Sequence, residues 1–454
     1  MKSEKNLFKQ ISVTQRLWYG LLSLVLFSAA SCSEKDDPII PTFQVKVQLV
    51  YPEGFTAKEG VKVTLENKVT NLVLEVQTGS TGLAEFEVIA GAYEATASDS
   101  SYISGNQYLF NGVKSNIVIT DAWSGSEIIT LDLVESKVGQ LVIKEYYFNG
   151  CQNNAGSGTF QRDPYVILYN NSDQPASLEN VSFGATIVAN SQATNNDYIN
   201  GELFYAAEGW VPAGFGIFYF NTPVILAPGE QAVIAINSAN DHTGTYTNSV
   251  NLANANYYVF YDPESGFANA TYHPAPSALI PASHYLKAIR FPGVTSNAYT
   301  MSAMSPAFFI FATERITPDA FSAEPANRNL YGTSTSQVRL KVPVDWVIDG
   351  VEVFQKGAAV NNKRLPATVD AGSINFPDVK QGYTLYRNVN KAATEALASN
   401  AGKLVYNYSL AVDGTSDPSG IDAEASIKNG AHIIYKDTNN AGADFHVRGV
   451  ASLK

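Results

Sequence analysis

The sequence predicts an all-β chain made of two antiparallel β-sandwich domains, the second carrying large insertions. Three observations carry this. Apolar and polar residues alternate with period two in one run after another, and clusters of Gly, Pro, Asn and Asp separate the runs. The composition is rich in the aromatic residues that favour strands, with 25 Tyr and 23 Phe, and is only 16% charged. The length of 454 residues admits two to four domains. A hydrophobic content of 45% can offset the entropy of ordering a core, which excludes a disordered polymer. So many aromatics also exclude a coiled coil. With 30 Lys and Arg against 42 Asp and Glu, a net charge of −12, the chain lacks the basic surplus that phosphate recognition needs, so no nucleic-acid partner is expected.

The first element is an address. Lys2, Lys5, Lys9 and Arg16 precede the uncharged stretch Leu17 to Ala30, which is too short to span a bilayer but suits a signal-peptide core. It ends Ser28-Ala29-Ala30-Ser31-Cys32. This resembles a bacterial lipoprotein signal, with Ala29 where a Leu is usual, and implies cleavage before Cys32 and lipidation of its thiol. An ordinary secretory signal cut near Ala30 is the alternative. Residues 1–31 are thus read as signal and 32–42 as a lipidated tether. The run Ser33-Glu34-Lys35-Asp36-Asp37 resembles the surface-export signal of Bacteroidetes lipoproteins, although a solvated tether would look similar. The expected location is the outer membrane, held by acyl chains at the cell surface. Losing four basic residues and Glu4 takes the charge to −15, and Cys151 becomes a lone thiol without a disulfide partner. With no basic cluster or His beside it in sequence, Cys151 reads as a small buried hydrophobe.

Residues 43–136 form the first sandwich. Phe43 to Val50 and Val61 to Leu65 alternate strictly, Leu72 to Val76 continues, and Gly79 and Gly82 turn the chain into Leu83-Ala84-Glu85-Phe86. Ala90 to Ala97 and Ile128 to Leu133 complete the set. The run Thr81-Gly82-Leu83-Ala84-Glu85-Phe86 followed by Gly91-Ala92-Tyr93 resembles carboxypeptidase-regulatory-like, transthyretin-like domains. That resemblance implies a spacer or binding module without catalytic residues.

Residues 137–454 form the second domain. Gly139 to Tyr147 is a strand, and Asp163 to Asn170 is another, running into Asn170-Asn171-Ser172-Asp173. Leu178 to Val181 starts the next strand, and Pro228-Gly229-Glu230 precedes a strand apolar on both faces. These segments resemble a lamin-tail domain, an immunoglobulin-like sandwich. Three later segments extend the resemblance: Ile348-Asp349-Gly350-Val351, Tyr383 to Arg387, and Asp437 to Phe445 with its Asp-x-x-Asn-x-x-x-Asp-Phe spacing. As a whole, residues 139–450 resemble an uncharacterised Bacteroidetes lipoprotein family, DUF4876. A lamin-tail sandwich needs little over ~100 residues, so about 184–222 and 238–339 are read as insertions packed on one end or edge. Their aromatics, led by Trp210, Phe218, Tyr219, Tyr257, Tyr258 and Tyr261, are candidates for stacking on sugar rings or a protein partner, although most aromatics of a sandwich are core.

Catalytic signatures are sparse. His242, His273, His284, His432 and His446 show no ligand spacing, so a zinc or heme site would have to be assembled by the fold. Asp413, Asp417 and Asp422 sit in a Gly/Ser/Pro loop whose spacing suits calcium, or a plain acidic turn. No G-x-S-x-G, P-loop or dinucleotide fingerprint occurs. No cofactor is expected. The function read from the sequence is a surface lipoprotein acting as a non-catalytic binding or interaction module, serving a TonB-dependent outer-membrane transporter in nutrient capture, with a glycan or other small ligand. The alternatives are a glycan hydrolase using paired carboxylates in the inserted loops, and a protein that captures metal or heme.

Overall fold

Alternation sets the first sheet directly. In the strand Thr42–Val50, Val45, Val47 and Leu49 are buried while Gln44, Lys46 and Gln48 face outward. The structure, a computed structural model, describes residues 40–103, 106–136, 140–313 and 315–454. The signal segment, Cys32 and the tether up to residue 39 lie outside the described residues. Thr42–Val50 pairs antiparallel with Leu83–Ile89 and parallel with Ile128–Asp132. Facing this three-stranded sheet is a five-stranded one, ordered Val73–Gln77, Lys62–Asn67, Gly91–Ile103, Asn106–Ile119, Val134–Ser136. Val45, Val47, Val63, Leu65, Phe86 and Phe110 fill the space between them.

The long strand Asn106–Ile119 was not expected from the sequence. Its pairing with Gly91–Ile103 slips between Tyr93 and Ala95, and Asn116 sits at φ 59°. Such a bulge shifts the phase of alternation within one strand, which hides it from a strict period-two reading.

The second unit contains two six-stranded sheets. One is ordered Tyr258–Val259, Gln231–Ala235, Tyr165–Asn170, Leu141–Tyr147, Thr384–Arg387, Phe445–Arg448. The other is ordered Lys287–Arg290, Gly216–Tyr219, Val181–Ala185, Ala307–Ala312, Val347–Gln355, Ile374–Phe376. Tyr146, Phe183, Phe218, Phe260, Phe308 and Val351 belong to the core between them. A third, three-stranded sheet of Trp210–Gly214, Val338–Pro343 and Arg328–Leu330 covers the far face of the second.

This corrects the expected insertions. Residues 184–222 and 238–339 do not simply decorate an edge: Gly216–Tyr219, Lys287–Arg290 and Ala307–Ala312 are strands of the sandwich itself. The physical reason is visible in Ala-Phe-Phe-Ile-Phe-Ala. Phe308 and Ile310 point into the sandwich core, and Phe309 and Phe311 point to the third sheet, so both faces are buried and no alternation marks the strand. Across from it Gly184 pairs with Phe309, and a Cβ there would lie 2.5 Å from the ring. Among the described residues no helix is long and apolar enough to cross a membrane.

Candidate binding site

The residues that carry the lamin-tail resemblance meet in space. Asp349 enters from one sheet and Arg387 from the other, and their side chains form an ion pair with 2% and 1% side-chain exposure. The Arg387 Nε donates to Ile143 O at 2.7 Å, and Nη1 to Lys436 O at 3.1 Å and Asp437 Oδ1 at 3.3 Å. Phe445 lies under the guanidinium at 4.4 Å. The Asp349 carboxylate also accepts from Ile143 N at 2.6 Å and Gly350 N at 2.8 Å. Asp444 accepts from Thr438 N and Oγ1, both at 2.7 Å. This cluster is a latch between sheets. A fully buried, fully hydrogen-bonded ion pair fixes their register and leaves no open position for a substrate.

Other buried charges serve the same end. Lys144 is fully buried, ion-paired to Glu424 at 2.7 Å, bonded to Gln231 at 2.7 Å and surrounded by Tyr169, Tyr386 and Tyr435 within 6.0 Å. Glu352 accepts from the backbone N–H groups of Arg364 and Leu365, pinning the loop that follows its strand. Glu145 accepts from Tyr165 Oη at 2.8 Å and Ser452 N at 3.0 Å, holding the C-terminal segment. Burial pushes Asp370 up to about 7 and Asp163 up to about 6. Both are enclosed in protein, so their shifts follow from desolvation and mark no accessible acid. Cys151 is buried, and burial together with Asp163 pushes its thiol up to about 12.

The sequence candidates divide. Trp210, Phe218 and Tyr219 are 6%, 0% and 4% exposed, which removes them from any binding surface. Trp210 packs on Tyr205 and donates to Glu208, Phe218 stacks on Phe260 at 4.4 Å, and Tyr219 bonds Asp319. They are core because their segments are strands. Tyr257, Tyr258 and Tyr261 stay half-buried: Tyr258 stacks on His284 at 4.4 Å, and Tyr261 meets Tyr285 edge-on at 5.3 Å.

The acidic loop does not gather its carboxylates. Asp413 pairs with Lys356 at 2.7 Å, Asp417 turns inward to accept from Val389 N and Ser419 N, and Asp422 caps the helix Ala423–Lys428. Each acid has a local structural partner, as in the plain acidic turn, and the three carboxylates do not converge on a calcium site. Among the described residues no group of three or more His, Cys, Asp or Glu could hold a metal ion. The histidines stay dispersed. His273 accepts from Tyr299 N, and His446 bonds Asn388 and Tyr408, its ring pushed down to about 3 by burial and by Arg448.

Two clefts open on the second unit. The larger, about 520 Å³, lies between the 413–418 loop and the edge strand Ile374–Phe376. Lys356, Asn375, Asn388, Thr415 and Ser416 supply amide, hydroxyl and ammonium groups, with the near-buried Phe445 at its wall. Asp413 is the single carboxylate among its lining residues. The smaller, about 350 Å³, is bounded by Phe148, Arg162, Tyr272 and Met301. Sequence reading missed Arg162 and Lys356. Arg162 lies in a loop beside Asp163 and Lys356 just past a strand end, and only the folded chain shows that each borders a cavity.

The chain is thus an all-β protein of two sandwiches, latched by buried ion pairs and bearing polar clefts on the second. The family described as protein of unknown function (DUF4876) matches residues 227–409. A DUF4876 family protein from Bacteroides thetaiotaomicron VPI-5482 shares the fold at a TM-score of 0.52 and 21% identity, over 91% of this chain and 96% of that one. A DUF3823 family protein from Parabacteroides merdae ATCC 43184 scores 0.15 at 10% identity, over 41% of this chain and 96% of that one. BcpA, the major pilin subunit of Bacillus cereus, scores 0.16 at 9% identity, over 74% of this chain and 99% of that one (the D312A form). Scores this low carry no argument about fold. No curated protein matches.

Proposed function

We propose that the chain is a lipid-anchored module of the outer cell surface that binds without catalysis, its first sandwich a spacer and its second the ligand-bearing part. In this reading Cys32 carries the lipid, and the ligand is a glycan taken up with a TonB-dependent transporter. The observation that carries the reading is the lining of the 520 Å³ cleft. Hydroxyls, amides and one Lys–Asp ion pair suit polyhydroxylated ligands. Glycoside hydrolysis needs two carboxyl groups about 5–10 Å apart across the substrate, and Asp413 alone lines this cleft. The acids with raised pKa values face the interior.

Lipid anchoring supports a membrane partner by confining both proteins to one plane, which raises their effective concentration. Capture of the lipidated full chain from detergent-solubilised outer membranes tests this. Co-purification of one stoichiometric membrane transporter is the expected result. Recovery of the lipoprotein without such a partner overturns the transporter role. A Cys32→Ala chain recovered in the soluble fraction and unmodified in mass is the matching expectation for the anchor.

A further inference from the structure

The 350 Å³ cleft differs in charge from the rest of this acidic protein. None of its lining residues is an acid, and Arg162 is its one cation. Arg162 is exposed and makes no ion pair among the described residues, and its guanidinium lies over the Tyr272 ring at 5.9 Å. The neighbouring carboxylate does not neutralise it. Asp163 is fully buried on the opposite side of the chain, accepting from the hydroxyls of Tyr147 and Ser249.

The rim adds donors. Thr159, Gln161 and Thr300 make no side-chain hydrogen bond among the described residues. Ser302 Oγ accepts from Met304 N and Ser305 N, which leaves its own proton free to turn into the cleft. Phe148 and Met301 supply apolar wall. An unpaired guanidinium, held by an aromatic face and ringed by neutral donors, matches a carboxylate. Mixed hydroxyl and apolar walls match a sugar ring, and a volume near the lower end for ligand pockets matches one monosaccharide unit.

From these groups we infer that the Arg162 cleft is a binding site for a uronic acid residue, its carboxylate on the guanidinium and its hydroxyls on the Thr159, Gln161, Thr300 and Ser302 rim. This site is separate from the cleft at Asp413, so its failure would leave the reading above standing.

The test titrates the purified full chain with methyl galacturonide, methyl galactoside and hippurate by ligand-observed NMR. The two sugars differ in carboxylate against hydroxymethyl, and hippurate carries a carboxylate without hydroxyls. The expected order is galacturonide at least about tenfold tighter than galactoside and tighter than hippurate. Arg162→Gln is expected to erase the preference for acid over neutral sugar while leaving the melting temperature unchanged, since the side chain is exposed and unpaired. Arg162→Lys should recover part of it. Equal affinity for both sugars, no saturable galacturonide binding at ~10 mM, or an unchanged preference in Arg162→Gln overturns the site. Tighter binding of hippurate overturns the uronic acid assignment.

Discussion

Arg387 and Asp349 each make several contacts that the other cannot replace. Asp349→Ala removes one of the carboxylates that hold a guanidinium 1% exposed and leaves the Ile143 and Gly350 N–H groups without their acceptor, and the expected loss is about 3–5 kcal/mol of stability. Removing Arg387 as well, as in Asp349→Ala with Arg387→Met, takes the guanidinium from the buried Asp437 and Asp444 and should cost further stability. Urea unfolding of the two variants measures it, and a double variant as stable as the wild type contradicts the latch. Asp163 gives a pH signature. Its carboxyl moves from an ordinary 3.8 up to about 6 on folding because burial disfavours the charge, and its Oδ1 has no hydrogen-bond partner to compensate. The folded chain therefore holds this proton more tightly than the unfolded chain. The stability it contributes is complete below about pH 4 and is lost as pH rises through about 6, by up to roughly 3 kcal/mol. Thermal melts from pH 4 to 8 should show that decline in the wild type and a flatter profile in Asp163→Asn.

The strand Ala307–Ala312 holds three layers together, since Phe308 faces one core and Phe309 the other. Gly184→Ala would press a methyl into the Phe309 ring, and the expected cost is about 1–3 kcal/mol without change of fold, read by denaturant midpoint at constant m-value. This strand also shows where the sequence stopped being legible. Half-buried strands such as Thr42–Val50 and Leu83–Ile89 announce themselves through alternation. Strands buried on both faces, such as Ala307–Ala312 and Gly216–Tyr219, read as generic apolar runs and fall within the expected insertions. The motif segments around Asp349, Arg387 and Asp444 were legible because a buried ion cluster demands particular side chains at particular positions. Their role as a latch was not legible, since nothing in sequence separation says that they meet. The clefts escaped for the same reason: Arg162 and Tyr272 lie 110 residues apart.

At the scale of the molecule, the charged groups divide between a paired interior and open polar clefts. Buried ion pairs fix the sheets, while Tyr257, Tyr258 and Tyr261 stay partly exposed and the polar clefts are open to solvent. The first sandwich touches the second through Asn111 Nδ2 on Thr438 O at 3.0 Å and Asn116 Nδ2 on Gly201 O, which suits a spacer docked by polar contacts. The measurement that tests binding without catalysis most directly follows one oligosaccharide pool with the purified full chain, recording retained sugar and newly formed reducing ends together. The expected result is retention by the wild type that falls about tenfold in an Asn375→Ala, Ser416→Ala double variant, with no new reducing ends. Reducing ends that accumulate with the wild type and vanish in Asp413→Asn would contradict it.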